Sequence, residues 1–307
     1  MNMNPLNMDI VKNRFFRKYV RHIDPLAQVI LRRYMRRYAW KTLKKQDFTI
    51  TEVSKSFQID FNNRFGYFFP GFAPKLTYNN ANDTWLTESG KVRLISRDCH
   101  LTYLLSELRG YLLLDNLVDG DVVVDIGATE GFTSAYFAKL VGPSGSVLAV
   151  EPESCYTDDF NFNMSVNGIY NVRLCRKMLV GNDSPRNADA IRLQELVTDY
   201  DIDPAKVKMI KVDIEGAELE LIDDMIKFIS AYENAYACIA SYHFVDGEQT
   251  LHKIEDACKK SPDVDAVTIY AHHPETIIFN KSNSELMRRL QDIGKDAAEV
   301  PEWWIPG

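Results

Sequence analysis

The sequence has few cysteines, no long apolar run and no internal repeat. Its 307 residues include 5 scattered cysteines without a C-x-x-C pair, so neither a disulfide framework nor a zinc site is favoured. No stretch approaches the roughly 18 consecutive apolar residues of a membrane span, and residues 1–9 lack the charged-then-apolar order of a secretion signal. We therefore expect a cytoplasmic protein, with peripheral membrane contact left open.

Basic charge is scarce outside the first 50 residues. The net charge is −7, yet residues 1–50 hold 12 Lys and Arg against 3 Asp and Glu, which leaves 24 against 40 for the rest. Residues 8–22 and 25–45 are predicted to form basic helices, and the second of them has an amphipathic pattern. Such helices can dock on the acidic remainder or form a homo-oligomer arm, lie on an anionic membrane, or bind nucleic acid. The pattern favours the first arrangement most and nucleic acid least.

The remaining chain divides into three parts. Residues 51–104 combine aromatics, turn-rich Asn and Asp, and an alternating strand pattern at 91–97, which predicts a small mixed α/β cap or subdomain. Residues 105–282 alternate predicted apolar strands with predicted helices, and 283–307 are predicted to form a C-terminal helix and tail. The predicted strands are 122–126, 146–150, 171–177, 207–212, 235–241, 266–271 and 276–280, and the predicted helices are 132–141, 157–166, 193–199, 217–232 and 248–260. This pattern predicts a doubly wound, mostly parallel, seven-stranded α/β sheet.

A glycine-lined bend follows the first of these strands, in the run D-V-V-V-D-I-G-A-T-E-G-F at 121–132. Asp125, Gly127 and Gly131 lie at the carboxyl end of the strand, where ligands bind in such sheets, and we expect the carboxylate to point into that crevice. The spacing is G-x-x-x-G, with Thr129 where the dinucleotide fingerprint has its second glycine, and Glu130 would oppose a diphosphate. A nicotinamide dinucleotide is therefore disfavoured.

Acidic residues also end the second and fourth strands. Glu151, 24 residues after Gly127, can accept hydrogen bonds from both ribose hydroxyls of an adenosine. Two ionised acids are better tolerated beside a cationic ligand than beside the phosphates of a dinucleotide. A ligand that joins an adenosine to a positively charged sulfonium is S-adenosylmethionine. In M-I-K-V-D-I-E-G-A-E-L-E-L-I, Asp213 lies at the strand tip and is assigned a functional role. The helix macrodipole explains Glu218 and Glu220.

Together these runs resemble the FkbM-type S-adenosylmethionine-dependent methyltransferases. The matching runs are G-D-V-V-V-D-I-G-A-T-E-G-F, G-S-V-L-A-V-E-P-E-S, N-G-I-Y-N-V-R-L, I-K-V-D-I-E-G-A-E-L-E-L-I and A-S-Y-H-F-V-D-G-E, within residues 105–279. The resemblance implies the Rossmann-like fold of class I methyltransferases. It also implies that Asp125, Gly127 and Gly131 line the methionine side of the cofactor, with Thr129 where the family usually has Asn, that Glu151 binds the ribose, and that the turn from Asp213 lies on the reaction side. The implied reaction is O-methylation of a sugar, glycolipid or other hydroxylated metabolite.

O-methylation needs a base for the acceptor hydroxyl. His243, at the end of the fifth strand, has a suitable intrinsic pKa, and Asp213 is the stronger candidate if His243 is only structural. His272 and His273 could contribute to the same rim. A divalent metal on Asp213, Glu215 and His243 is conceivable from ligand type, but the spacing does not require one and none is predicted.

Three other classes of function stay open at this point. A nucleic-acid methyltransferase would use the basic arm, although amino-directed enzymes resemble N/D-P-P-Y where this chain has D-I-E-G. A non-catalytic interaction protein could keep the fold, and a nucleotide-dependent oxidoreductase would bind NAD instead.

Overall fold

The structure is a computed structural model that describes residues 48–53, 56–61, 75–79, 81–90, 92–100, 104, 107–112, 116–185, 187–269 and 276–297. The basic helices predicted over 8–22 and 25–45 lie outside these residues, as do His272 and His273. Within the described part of the chain, no helix combines the length and apolar character needed to cross a bilayer.

The first described residues form a separate antiparallel sheet. Its five strands pair in chain order: β1 (Phe48–Val53), β2 (Ser56–Phe61), β3 (Lys75–Asn79), β4 (Thr84–Ser89) and β5 (Val92–Ser96). The edge strand β5 is joined to the rest of the protein by the side-chain amide of Asn167, which accepts a hydrogen bond from Ile95 N at 2.6 Å and donates one to Ile95 O at 2.7 Å. The amide thus satisfies the backbone N–H and carbonyl groups of Ile95 at the edge of β5, as a neighbouring strand would.

The central sheet has seven strands. They are β6 (Val122–Ile126), β7 (Ser146–Val150), β8 (Val172–Cys175), β11 (Val207–Val212), β12 (Tyr236–Ala240), β15 (Val264–Ile269) and β16 (Thr276–Lys281). Their order in the sheet is β15–β16–β12–β11–β6–β7–β8. All pairs are parallel except those of β16, which is antiparallel to both β12 and β15. Short two-stranded pairs form from β9 (Met178–Leu179) with β10 (Ala190–Ile191), and from β13 (Phe244–Val245) with β14 (Glu248–Gln249).

Helices cover both faces of this sheet. They are α1 (Glu107–Tyr111), α2 (Phe132–Leu140), α3 (Thr157–Val166), α4 (Leu193–Asp199), α5 (Glu218–Ala231), α6 (Thr250–Lys260) and α7 (Glu285–Ala297). Two apolar clusters result, because alternate residues of each strand face opposite sides: Val123 packs with α1, α2 and α3, while Val122 and Val124 pack with α4, α5 and α6. The doubly wound, mostly parallel fold predicted from the sequence is confirmed.

The predicted element boundaries differ mainly at strand ends. The strand predicted over 171–177 is limited to Val172–Cys175, because Arg176 and Lys177 are exposed beyond the edge of the sheet. The strand predicted over 266–271 begins earlier, at Val264, which is buried and pairs with Lys281.

The order of strands identifies where a ligand can bind. From β6 the chain builds outward through β7 and β8, then returns to β11 on the other side of β6. Crevices form at the carboxyl ends of strands where the direction of winding reverses in this way. The bend after β6 and the acidic turn after β11 both lie at this point.

Candidate active site

The bend between β6 and α2 is fixed by close backbone contact. Gly127 has a φ of +78°, and a Cβ added there would lie 1.9 Å from the carbonyl oxygen of Asp213. Gly131 has a φ of +77°, and its added Cβ would lie 2.5 Å from Cδ2 of Phe160. Thr129, between them, has a φ of +46°, which is costly for a β-branched residue. Positions 127 and 131 therefore require glycine, and the bend presents little side chain to a ligand.

Glu151 links the next strand to this bend. The residue is 7% exposed; its Oε2 accepts a hydrogen bond from Thr129 N at 2.9 Å, and its Oε1 accepts one from Glu153 N at 2.8 Å. Burial raises the pKa of this carboxyl, against the opposite effect of the two backbone N–H groups. The side chain thus lies beside the bend at the tip of β7, and its predicted contact with a ribose stays a prediction.

Asp125 supports the bend from below rather than facing open space. We expected its carboxylate to point into the crevice, but the side chain is fully buried. Its Oδ2 accepts a hydrogen bond from Ser134 Oγ at 2.6 Å, and its Oδ1 lies 3.1 Å from Lys211 Nζ. The alternation of β6 accounts for this, since Asp125 shares the face of Val123 and meets α2. Direct contact of Asp125 with a cofactor stays a prediction.

Lys211 is a residue that the sequence analysis missed. It is 1% exposed within β11 and donates a hydrogen bond to the carbonyl oxygen of Gly127 at 2.9 Å in addition to its ion pair. A buried charge is tolerated only when it is paired and hydrogen-bonded, and this lysine satisfies both conditions. The available signal was a lysine inside an otherwise apolar strand, in M-I-K-V.

Asp213 lies at the tip of β11, directly against the bend. Its backbone N–H donates to the carbonyl oxygen of Ile126 at 3.1 Å. Tyr111 of α1 donates its hydroxyl to Asp213 Oδ2 at 3.1 Å, and the Tyr242 hydroxyl lies 3.5 Å from Oδ1. The neighbouring Glu215 has a φ of +57° and a side chain that is 71% exposed. The structure therefore brings the predicted strand-tip acid together with the glycine bend.

His243 lies among three carboxylates. Its Nε2 is 3.5 Å from Asp213 Oδ1 and 3.8 Å from Glu215 Oε2, and its Nδ1 is 2.8 Å from Glu218 Oε1. Burial lowers the pKa of this imidazole, but the hydrogen bond and charge of Glu218, with the charges of Asp213 and Glu215, outweigh it and raise the pKa above 6.5. The two predicted catalytic residues are therefore neighbours in space.

Glu218 has a larger part in this site than its position in the sequence indicated. The helix macrodipole favours an acid in the first turn of α5, and this explains Glu220, which is exposed. Glu218 is instead fully buried, and its Oε1 also accepts a hydrogen bond from Ile214 N at 2.9 Å. The dipole alone does not explain complete burial of a carboxylate, because burial removes it from water.

His100 is a second residue that no motif indicated. It is 6% exposed, its ring stacks on Phe132 at a centroid distance of 3.9 Å, and its Nδ1 lies 3.6 Å from Glu130 Oε1. These contacts place it behind the start of α2, next to the bend. Only tertiary structure could reveal this, because His100 lies 30 residues before Glu130 in the chain.

A metal ion fits this cluster poorly. One ligand atom each from Asp213, Glu218 and His243 lie within 4.8 Å of one another. However, Asp213 approaches Nε2 of the imidazole and Glu218 approaches Nδ1, on different edges of one ring. A single ion could bind only one of these nitrogens, so one carboxylate would have to move to join it. The arrangement is better suited to holding a proton.

Among known proteins, this chain is similar to solved structures but matches no family model and no curated sequence. A putative rRNA methylase from Clostridium thermocellum is 16% identical with a TM-score of 0.43, covering 58% of this chain and 96% of that one. The methyltransferase FkbM from Methylobacillus flagellatus is 21% identical with a TM-score of 0.43, covering 57% of this chain and 46% of that one. The O-methyltransferase TomG from Streptomyces achromogenes, in complex with S-adenosylmethionine, is 14% identical with a TM-score of 0.39, covering 53% and 73%.

Proposed function

We propose that this protein is an S-adenosylmethionine-dependent O-methyltransferase of FkbM type, acting on a hydroxyl of a sugar, glycolipid or other hydroxylated metabolite. The observation that carries the proposal is the contact of the Gly127 backbone with Asp213, with Glu151 at the tip of the adjoining strand. The order of the sequence motifs supports the same family.

The residues around the bend fit this cofactor. Gly127 and Gly131 leave backbone uncovered by side chains, and together with Thr129 and Asp213 they would hold the methionine part, while the buried Asp125 would support the bend beneath it. Glu151 would hold the ribose: a carboxylate has about four lone-pair positions, so two remain after its two backbone hydrogen bonds. Thr129 occupies the place where a dinucleotide site needs glycine, which argues against NAD.

S-adenosylmethionine supplies a methyl group already activated by its sulfonium, so the protein has mainly to align the acceptor oxygen and take up its proton. His243 is the proposed base, since its Nε2 lies on the side of Asp213 and Glu215. Asp213, held by the hydroxyl of Tyr111, orients the acceptor beside it. The raised pKa of His243 makes it a stronger base, available at pH values above that pKa.

Thermal shift with S-adenosylmethionine, S-adenosylhomocysteine and NAD tests the cofactor. A ligand at 100 times its Kd stabilises the folded state by about 2.7 kcal/mol. We expect both sulfur ligands to raise the Tm of the wild type and of the control Glu153→Ala, whose side chain is exposed, and to lose most of this effect in Glu151→Ala. Stabilisation by NAD alone, or equal stabilisation of Glu151→Ala, would contradict the assignment.

Transfer of a labelled methyl group tests the acceptor. Purified protein is given labelled S-adenosylmethionine with saccharides, glycolipids, RNA or DNA in separate reactions. We expect label in a saccharide or glycolipid fraction as a methyl ether, which survives alkaline hydrolysis that removes methyl esters. Label in nucleic acid alone would instead support the base-modifying class of methyltransferase.

A further inference from the structure

We infer that Glu218 is a positioning residue for His243: it fixes the imidazole through Nδ1 so that Nε2 carries the free lone pair on the side of Asp213. This inference rests on the proposed function for its catalytic meaning. The tautomer that it predicts for His243 does not depend on the identity of the cofactor.

The placement of Glu218 is specific. The carboxylate is fully buried at the start of α5, with Oε1 held between Ile214 N at 2.9 Å and His243 Nδ1 at 2.8 Å. The backbone N–H fixes the oxygen, and the oxygen fixes the ring. A buried carboxylate without such partners would destabilise the folded protein, so its contacts with Ile214 N and His243 stabilise Glu218 in its buried position.

The tautomer follows from hydrogen-bond chemistry. An ionised carboxylate only accepts hydrogen bonds, so its contact with the imidazole nitrogen at 2.8 Å favours a proton on Nδ1. In the neutral imidazole the lone pair is then on Nε2. That nitrogen is the one nearer to Asp213 and Glu215, at 3.5 and 3.8 Å. A base therefore faces the strand tips, where the acceptor is proposed to bind.

The charged and titratable groups around the ring act in the same direction. Glu218 from α5 and the carboxylates of Asp213 and Glu215 after β11 all favour the protonated imidazole, and the Tyr242 ring lies 4.2 Å away. Without Glu218, burial would act against the charged form with less opposition. The same group thus sets both the direction and the strength of the base.

Nuclear magnetic resonance of histidine ring nitrogens tests the tautomer directly, without cofactor or acceptor. In the wild type at a pH where His243 is neutral, we expect the proton on Nδ1. A neutral His243 with its proton on Nε2 would overturn the inference. His243→Asn assigns the resonance.

Glu218→Gln tests the charge, with Glu220→Gln as its control on the exposed side of the same helix turn. We expect a lower His243 pKa in Glu218→Gln and an unchanged one in Glu220→Gln, with circular dichroism verifying the fold. In methyl transfer, kcat should fall by about 100-fold in Glu218→Gln, the low end of what acid–base groups contribute, and the pH profile should shift downward, while the thermal shift by S-adenosylmethionine stays. An unchanged His243 pKa would overturn the inference.

Metal binding is the competing explanation and has its own test. Mn²⁺ or Zn²⁺ alone is added to wild type, Glu218→Gln and Glu220→Gln in the absence of cofactor. We expect no stabilisation that depends on Glu218. A rise in Tm in the wild type and Glu220→Gln that is lost in Glu218→Gln would make Glu218 a metal ligand and overturn its role as a positioning residue. Failure of the proposed cofactor would show separately, as absence of a thermal shift by S-adenosylmethionine.

Discussion

Replacing Gly127 by alanine is the sharpest test of the bend. The new Cβ would lie 1.9 Å from the carbonyl oxygen of Asp213, 2.9 Å from its carbonyl carbon and 3.1 Å from Ile214 Cγ2. The first two are backbone atoms, so no side-chain rotation relieves the clash. The tips of β6 and β11 would have to separate, which changes the geometry on which the cofactor proposal depends.

The expected loss has two parts. An L-residue at the φ of Gly127 costs about 1–2 kcal/mol, and overpacking a fixed site adds about 1–3 kcal/mol. Together they amount to about 2–5 kcal/mol, a large share of a typical stability of about 5–15 kcal/mol. The first part alone is isolated by Gly247→Ala, because Gly247 has a φ of +80° and nothing within 4 Å of an added Cβ.

Urea denaturation and thermal unfolding of the two variants measure the difference. We expect Gly127→Ala to be less stable than Gly247→Ala by about 1–3 kcal/mol, which corresponds to a Tm lower by roughly 2–12 °C. The shift caused by S-adenosylmethionine should also be reduced in Gly127→Ala alone. Equal stability of the two variants would refute the reasoning, because it would mean that the contact between the bend and Asp213 imposes no constraint.

Three further predictions follow from buried groups. Lys211→Met leaves the buried Asp125 carboxylate without its charged partner and should lower the free energy of unfolding, measured by urea denaturation, by about 3–5 kcal/mol. Adding Asp125→Asn should recover part of this loss. Purely additive effects of the two substitutions would contradict the pairing. The pKa of His243 is raised in the folded state, so its stabilising contribution is complete below pH 6.5 and is lost as pH rises through the folded pKa. The stability advantage of wild type over His243→Asn should therefore shrink with increasing pH, and a growing advantage would reverse the sign. Burial raises the pKa of the Cys258 thiol to about 12, so a thiol reagent should modify the exposed Cys155 in the native protein and reach Cys258 only after unfolding.

Local patterns predicted the fold well. The apolar strands at β6, β7 and β11 each end at a glycine or an acid, and the pairs Gly142-Pro143 and Asn167-Gly168 end the helices between them. These signals lie within a few residues of the elements that they delimit, so they survive without knowledge of the tertiary structure. The bend was predicted for the same reason, since its glycines and the strand before it are contiguous.

The surroundings of the bend could not be predicted in this way. The pairing of Asp125 with Lys211 depends on which strand lies beside β6, and that order is a property of the whole sheet. The sequence places Glu218 only as a first-turn acid, because His243, which it contacts, is 25 residues later in the chain. Pairings between distant residues leave no periodic trace in a single sequence.

The amide of Asn167 has a consequence for any shortened form of the protein. Asn167 ends α3, the helix whose Phe160 ring lies against Gly131 in the bend after β6. Its side-chain amide is hydrogen-bonded to the backbone N–H and carbonyl oxygen of Ile95 in β5. A fragment starting at residue 105 would lack β5, so the Asn167 amide would lose both hydrogen bonds to Ile95 and one side of α3 would be exposed. The antiparallel sheet therefore supports α3, and removing the sheet should hold Phe160 less firmly against Gly131 and the bend after β6.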